Sequence, residues 1–148
     1  MYKNILIATD GSELANKAVS NGLALAKELN ASVKIVTITE SLSALEISAL
    51  AQSGNTEVLK DHLKSANNET KKFLSAISST AKNMNLSCET IHVPDQHPAE
   101  GIIASANDKK CDLIIMASHG RRGIEKFIMG SVANEVVTHS AVPVLIYR

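Results

Sequence analysis

The sequence predicts an α/β fold: one domain, a five-stranded parallel sheet, and helices on both faces in a Rossmann-like arrangement. Three observations carry this. Short apolar runs alternate with segments of helical period from one end of the chain to the other. The 148 residues suit one domain with a full hydrophobic core. Apolar residues make up 45% of the chain, which excludes a disordered segment.

The elements follow in order. "YKNILIAT" is short, apolar and bounded by "DGS", so it reads as a strand buried on both faces. From Ser12 the period changes. Leu14, Ala18, Gly22, Leu25 and Leu29 form a helical stripe, with Lys17, Lys27 and Glu28 off it. "SVKIVTIT" is β-branched and apolar, a second strand. Residues 41–55 are small, polar and weakly periodic, and read as a mobile loop or short helical turns. From Thr56 to Asn83, Leu59, Leu63, Ala66, Thr70, Phe73 and Ile77 mark a long amphipathic helix. Its charged residues read as a solvated face.

"LSCETIHV" is a third strand, ended by Pro94. Pro98 starts the next helix at its first turn, with Ala99, Ile102, Ile103 and Ala106 toward the core. "CDLIIMAS" is the fourth and most apolar strand. "SVANEVVTHS" is a helix opening at or next to Ser131, with Val132, Val136 and Val137 buried. "VPVLIYR" is the fifth strand. Strands joined by helical crossovers run parallel, and the connections are right-handed. Ligands of such sheets sit at the carboxyl ends of the strands, where strand order reverses. Two segments therefore meet there: "ATDGS" after the first strand and "ASHGRRG" after the fourth.

Composition narrows the function. A net charge of +0 and 3% aromatics argue against a nucleic-acid binder. Cys88 and Cys111 form no CxxC pair and read as reduced intracellular thiols. The N-terminal apolar run is stopped by Asp10, with no small-residue cleavage site after it, so it is not a signal peptide. No apolar run approaches the roughly 18 residues of a membrane span. The expectation is a cytoplasmic protein with no membrane partner. The five histidines show no HExxH or paired Cys/His spacing, so no metal site is expected. No GxSxG or Cys–His pair supports nucleophilic catalysis. Asp112, at the opening of the fourth strand, stands at the wrong end of the sheet and reads as structural.

"ASHGRRGIEKFIMGS", residues 117–131, carries the chemistry. Phosphate binding needs converging N–H donors. Glycines let the backbone approach, and a helix N-terminus adds unpaired N–H groups and a partial positive charge. Gly120 and Gly123 loosen the loop, while Gly130 and Ser131 stand where the last helix starts. The Ser131 hydroxyl caps that helix or bonds a phosphate oxygen. Arg121 and Arg122 reach phosphates or point into water. The spacing is neither a Walker A motif nor GxGxxG. On the residues alone, a phosphate loop and a structural turn stand level.

"ILIATDGS", "CDLIIMASHGRRGIEKFIMGSVANEVV" and "PVLIY", in that order, resemble the universal stress protein family over nearly the whole chain. The resemblance implies a five-stranded α/β fold of the adenine nucleotide alpha hydrolase-like type. It also implies a homodimer through the final strand, 142–147, and, in many members, ATP bound by Gly-x2-Gly-x9-Gly-[Ser/Thr]. In this chain the second glycine is Gly120, the third is Gly130 and the hydroxyl residue is Ser131, with nine residues between the glycines. The first glycine is replaced by Ala117. A left-handed backbone there would cost alanine about 1 kcal/mol, whereas a mere close approach accommodates one methyl.

By the same resemblance Asp10 lies near the ribose, or caps the helix that follows. Ala8 and Thr9 line the mouth. Ile38 meets the adenine, or is plain core. Met116 and Ala117 end beside base or sugar. Ser131 and Val132 offer N–H groups to phosphates. Apart from the resemblance, His119 lies inside the loop, and there contacts a ligand or fixes the loop by a backbone hydrogen bond. The implied ligand is ATP, ADP or AMP, with any Mg²⁺ or Mn²⁺ held mainly by the phosphates. Binding rather than fast turnover is expected, because no general base is evident. The alternatives are a same-fold interaction protein that binds no nucleotide and an adenylate-forming enzyme. The latter usually shows HxGH or SGGxDS, and both are missing here.

Overall fold

A computed structural model describes residues 1–40, 42–54, 56–120 and 129–148. The elements alternate as β1 (Asn4–Ala8), α1 (Glu13–Leu29), β2 (Ser32–Thr39), α2 (Ala44–Gln52), α3 (Thr56–Asn83), β3 (Cys88–Pro94), α4 (Pro98–Asp108), β4 (Leu113–Ala117), α5 (Ser131–His139) and β5 (Val144–Tyr147). All five strands are parallel, in the order β3-β2-β1-β4-β5. The order reverses between β1 and β4, and that switch point positions the site.

Side chains alternate across the sheet with the period of a strand. Ile5, Ile7, Val33, Ile35, Leu113 and Ile115 pack beneath α1 and α3, with Leu23, Leu74 and Ile77. Leu6, Ala8, Val36, Ile114 and Met116 pack on the other face beneath α4 and α5, with Ile102 and Val136. Gly22 lets α1 lie close to the sheet: a Cβ there would stand 2.7 Å from Ile7 Cδ1. The core is therefore two apolar layers, which is why β1 and β4 read as unbroken apolar runs.

Some local expectations hold and others change. Of the two readings of 41–55, short helical turns hold: the stretch contains the nine-residue helix α2, held by a capping box between Ser43 and Glu46. β3 does end at Pro94, which takes its last position, opposite Thr39; β3 is an edge strand, where proline costs no ladder bond on the open side. Val137 is 43% exposed rather than buried, because only Ala133 and Val136 of α5 reach the core. The first turns of α3 are uncovered too: its buried residues begin at Leu74. Asp112 is structural, as expected. Its carboxylate accepts from the backbone N–H groups of Lys3 (2.7 Å) and Asn4 (3.0 Å), fixing the amino-terminal ends of β1 and β4 together. No helix among the described residues is long and apolar enough to cross a membrane.

Candidate functional site

A cleft of about 770 Å³ opens at the carboxyl ends of the strands, over the β1–β4 switch point. Its floor is built by short-range bonding after β1. Thr9 N–H donates to Val36 O (3.0 Å), so the chain stays paired one residue beyond the strand. The buried Thr37 hydroxyl donates to Thr9 O (2.9 Å), and Thr9 Oγ1 accepts from Gly11 N–H (3.2 Å). Gly11 turns with φ of 78°, a left-handed conformation that favours glycine. Asp10 Oδ1 then accepts from Ser12 N–H (3.0 Å), and Ser12 Oγ accepts from Ala15 N–H (3.3 Å). The cap of α1 is thus Ser12 and not Asp10. Asp10 forms the turn before the cap, which leaves its carboxylate at the cleft wall.

The opposite wall begins where β4 ends. Ser118 N–H donates to Tyr147 O (2.8 Å), and Gly130 N–H donates to Ser118 O (2.7 Å). Those two bonds bring the start of α5 back to the end of β4. Gly130 is the N-cap of α5, with φ of −62° and ψ of 157°, and makes no side-chain cap. Ser131 is the first helical residue, so its hydroxyl does not cap the helix. The first intrahelical acceptor bond is Asn134 N–H to Gly130 O (2.9 Å). The N–H groups of Ser131, Val132 and Ala133, in the first turn, have no acceptor within the helix, and all three residues line the cleft.

Space is tight at both motif glycines. A Cβ on Gly120 would collide with Asp10 Oδ2. A Cβ on Gly130 would stand 3.1 Å from Ser118 O and 3.2 Å from His119 Cα. Ala117 needs no left-handed backbone: it is the last residue of β4, and its methyl packs against Ala15 and Ala18 of α1. His119 Nδ1 lies 3.1 Å from Ser118 Oγ.

The cleft brings together Ala8, Thr9, Asp10, Ile38, Met116, Ala117, His119, Gly120, Gly130, Ser131 and Val132. Arg121 and its neighbours through 128 lie outside the described residues. Ile38 also packs on α4, where a Cβ on Gly101 would come within 2.8 Å of its Cδ1. Sequence reasoning missed a whole wall. Ala66, Glu69, Thr70 and Phe73 of α3 line the cleft, as do His97, Pro98 and Ile102 of α4. One signal was available. In the stripe Leu59, Leu63, Ala66, Thr70, Phe73, Ile77, the bulky residues give way to small ones at 66 and 70, where the helix leaves the core and faces open space. His97, the N-cap of α4, has Nδ1 3.8 Å from Glu135 Oε1 of α5 at the rim.

Among the described residues, no group of three or more His, Cys, Asp or Glu could hold a metal ion. What the arrangement offers is backbone donors at a helix N-terminus, glycines that admit a close approach, and a carboxylate across the gap. That set suits an anionic group joined to a hydroxylated one.

A sequence model of the universal stress protein family matches residues 1–148. The universal stress protein YxiE of Bacillus subtilis is 31% identical, with all of both chains covered. The universal stress protein MJ0531 of Methanocaldococcus jannaschii is 30% identical, over all of this chain and 83% of that one. A universal stress protein solved in complex with cAMP superposes with a TM-score of 0.71 at 27% identity, covering 99% of this chain and 97% of that one.

Proposed function

This chain belongs to the universal stress protein family, and we propose that it works as one such domain over 1–148, binding an adenine nucleotide (ATP, ADP or AMP) in the switch-point cleft. The observation that carries the reading is the approach of α5 to the end of β4. Gly130 N–H bonds Ser118 O, and the first turn of α5, with no side-chain cap from Gly130, lines the cleft. Phosphates are taken by the N–H groups of Ser131 and Val132 beside Gly120 and Gly130. Asp10 takes the ribose hydroxyls, and Ile38 with Met116 flanks the base. The cAMP complex of a relative supports an adenine nucleotide as the ligand class. Any divalent cation is held by the phosphates rather than by a protein cluster.

The proposed output is binding, not turnover: the nucleotide orders the cleft walls and alters the surface shown to a partner. The protein acts in the cytoplasm as a dimeric stress regulator, pairing across β5. Support for the dimer is that β5 is an edge strand with Leu145 exposed. The competing reading, a same-fold dimer without nucleotide, drew its support from Ala117. The extended backbone at Ala117 removes the torsional objection to binding.

The test is direct. The purified protein is denatured and the supernatant chromatographed for ATP, ADP and AMP, and the native protein is titrated calorimetrically with Mg-ATP and with AMP. Carried nucleotide or saturable heat is expected. Neither, up to millimolar ligand, overturns the reading. Sedimentation analysis that finds only monomer overturns the dimer.

A further inference from the structure

We propose that α2 and the leading turns of α3 form a closing wall of the cleft, loosely packed in the free protein and ordered by the bound ligand. The inference rests on the nucleotide reading above and adds regulation to the same site. One stripe of α3 passes through three environments. Ile77 is buried in the core; Phe73, Thr70 and Ala66 line the cleft; Leu63, one turn further out on the same face, is 51% exposed. A helix of 28 residues is roughly 42 Å long, and its buried residues begin only at Leu74.

The chain leaves the cleft rim at Glu40 and returns to it at Ala66, since both residues line the cleft. Between them, α2 buries no residue at all. It presents Leu45, which is 82% exposed, and Ile47, while Val58 adds to them at the start of α3. Local devices specify these turns: the Ser43–Glu46 capping box, and Gly54 at φ of 72°, where an added Cβ would meet nothing within 4 Å. Helical segments of about 12–15 residues without tertiary packing are marginal in water. Leu45, Ile47, Val58 and Leu63 are thus left exposed, with Leu50 and Leu59 only half-buried, on an excursion rooted at both ends on the rim of the cleft. A ligand seated against Phe73 and Thr70 gives Leu63 and the α2 face a surface to close on.

Hydrogen exchange with calorimetry tests this on the full chain. In the free protein, amides of 44–66 exchange at least tenfold faster than those of β1 and β4. With saturating AMP or Mg-ATP they slow at least tenfold, and the same nucleotides give no slowing in Gly130→Asp. Leu63→Ser and Leu45→Ser, both at exposed positions, keep the fold and release nucleotide several-fold faster. Calorimetric binding with no change in exchange at 44–66 overturns the closing wall while the nucleotide reading stands. Binding of no nucleotide brings down both. Slow exchange of 44–66 in the free protein overturns the wall whatever the ligand does. So does protection that follows protein concentration instead of ligand, because the partner is then a second copy of the chain.

Discussion

Gly120 and Asp10 face each other across the mouth of the cleft, so closely that a methyl on residue 120 would collide with the carboxylate Oδ2. The same carboxylate holds Ser12 N–H through Oδ1 at 3.0 Å, which sets the entry to α1. One residue of the glycine motif is thereby tied to the turn after β1, and the two walls of the site are fitted to each other. Gly120→Ala must push the carboxylate aside or shift its own loop. The expected cost is about 1 kcal/mol of stability, the worth of one disturbed hydrogen bond. Nucleotide affinity should fall at least tenfold, because both walls move. Urea denaturation and calorimetry read the two effects separately, and unchanged affinity would refute the fitted-wall account.

Gly130→Asp separates charge from helix stability. Aspartate is a favourable N-cap, so α5 retains or gains local stability from the new side chain. The Cβ meets Ser118 O at 3.1 Å and His119 at 3.2–3.3 Å, which a shift of a few tenths of an ångström relieves. A negative group then stands where phosphate is proposed to sit. Circular dichroism should show helix content unchanged while nucleotide binding is lost. Gly130→Ala, with the same Cβ and no charge, should keep part of the affinity. Equal losses in the two variants would assign the effect to space alone.

The alternation of period made the sheet legible. Strands buried on both faces read as apolar runs, and helices with one buried stripe read at 3.6-residue spacing. The carboxyl-end placement of Asp10 and Gly120 followed from the topology alone. The α3 wall was not legible, because periodicity reports which face of a helix is apolar and not what covers it. Leu63 and Ile77 carry the same pattern, yet one is exposed and the other buried. Helix α2 was obscured for a related reason. Its capping box was present in "SALE", but no buried face gave the segment a period.

The two thiols make the stability depend on pH in a known direction. Burial pushes Cys111 and Cys88 above the ordinary thiol value, and Lys34 opposes this only in part. A folded-state pKa above the unfolded one means the native protein keeps its protons longer, so stability falls as pH rises past the unfolded value. The contribution is fully present near neutrality and is lost above about pH 9. Cys88→Ala/Cys111→Ala should show a shallower decline than the parent between about pH 8 and pH 10 in urea denaturation. Native thiols should also react slowly with a disulfide reagent near neutrality, since the thiolate is the nucleophile. A steeper decline in the double variant would reverse the sign of the argument.

Ala117→Gly completes the Gly-x2-Gly-x9-Gly-Ser spacing, and its outcome follows from where the methyl points. Ala117 is extended at the end of β4, opposite Tyr147 of β5, so glycine gains nothing from a left-handed torsion. Its methyl is buried against Ala15 and Ala18 at the first turns of α1. Removing it leaves a small gap and loosens the strand end, a loss of roughly 1 kcal/mol. Nucleotide affinity should stay within about threefold of the parent, a difference below 1 kcal/mol. Calorimetry and thermal denaturation of the same preparation check both statements. A tenfold gain in affinity would mean that the methyl obstructs the nucleotide after all, and that the packing on α1 is retained at the expense of the site.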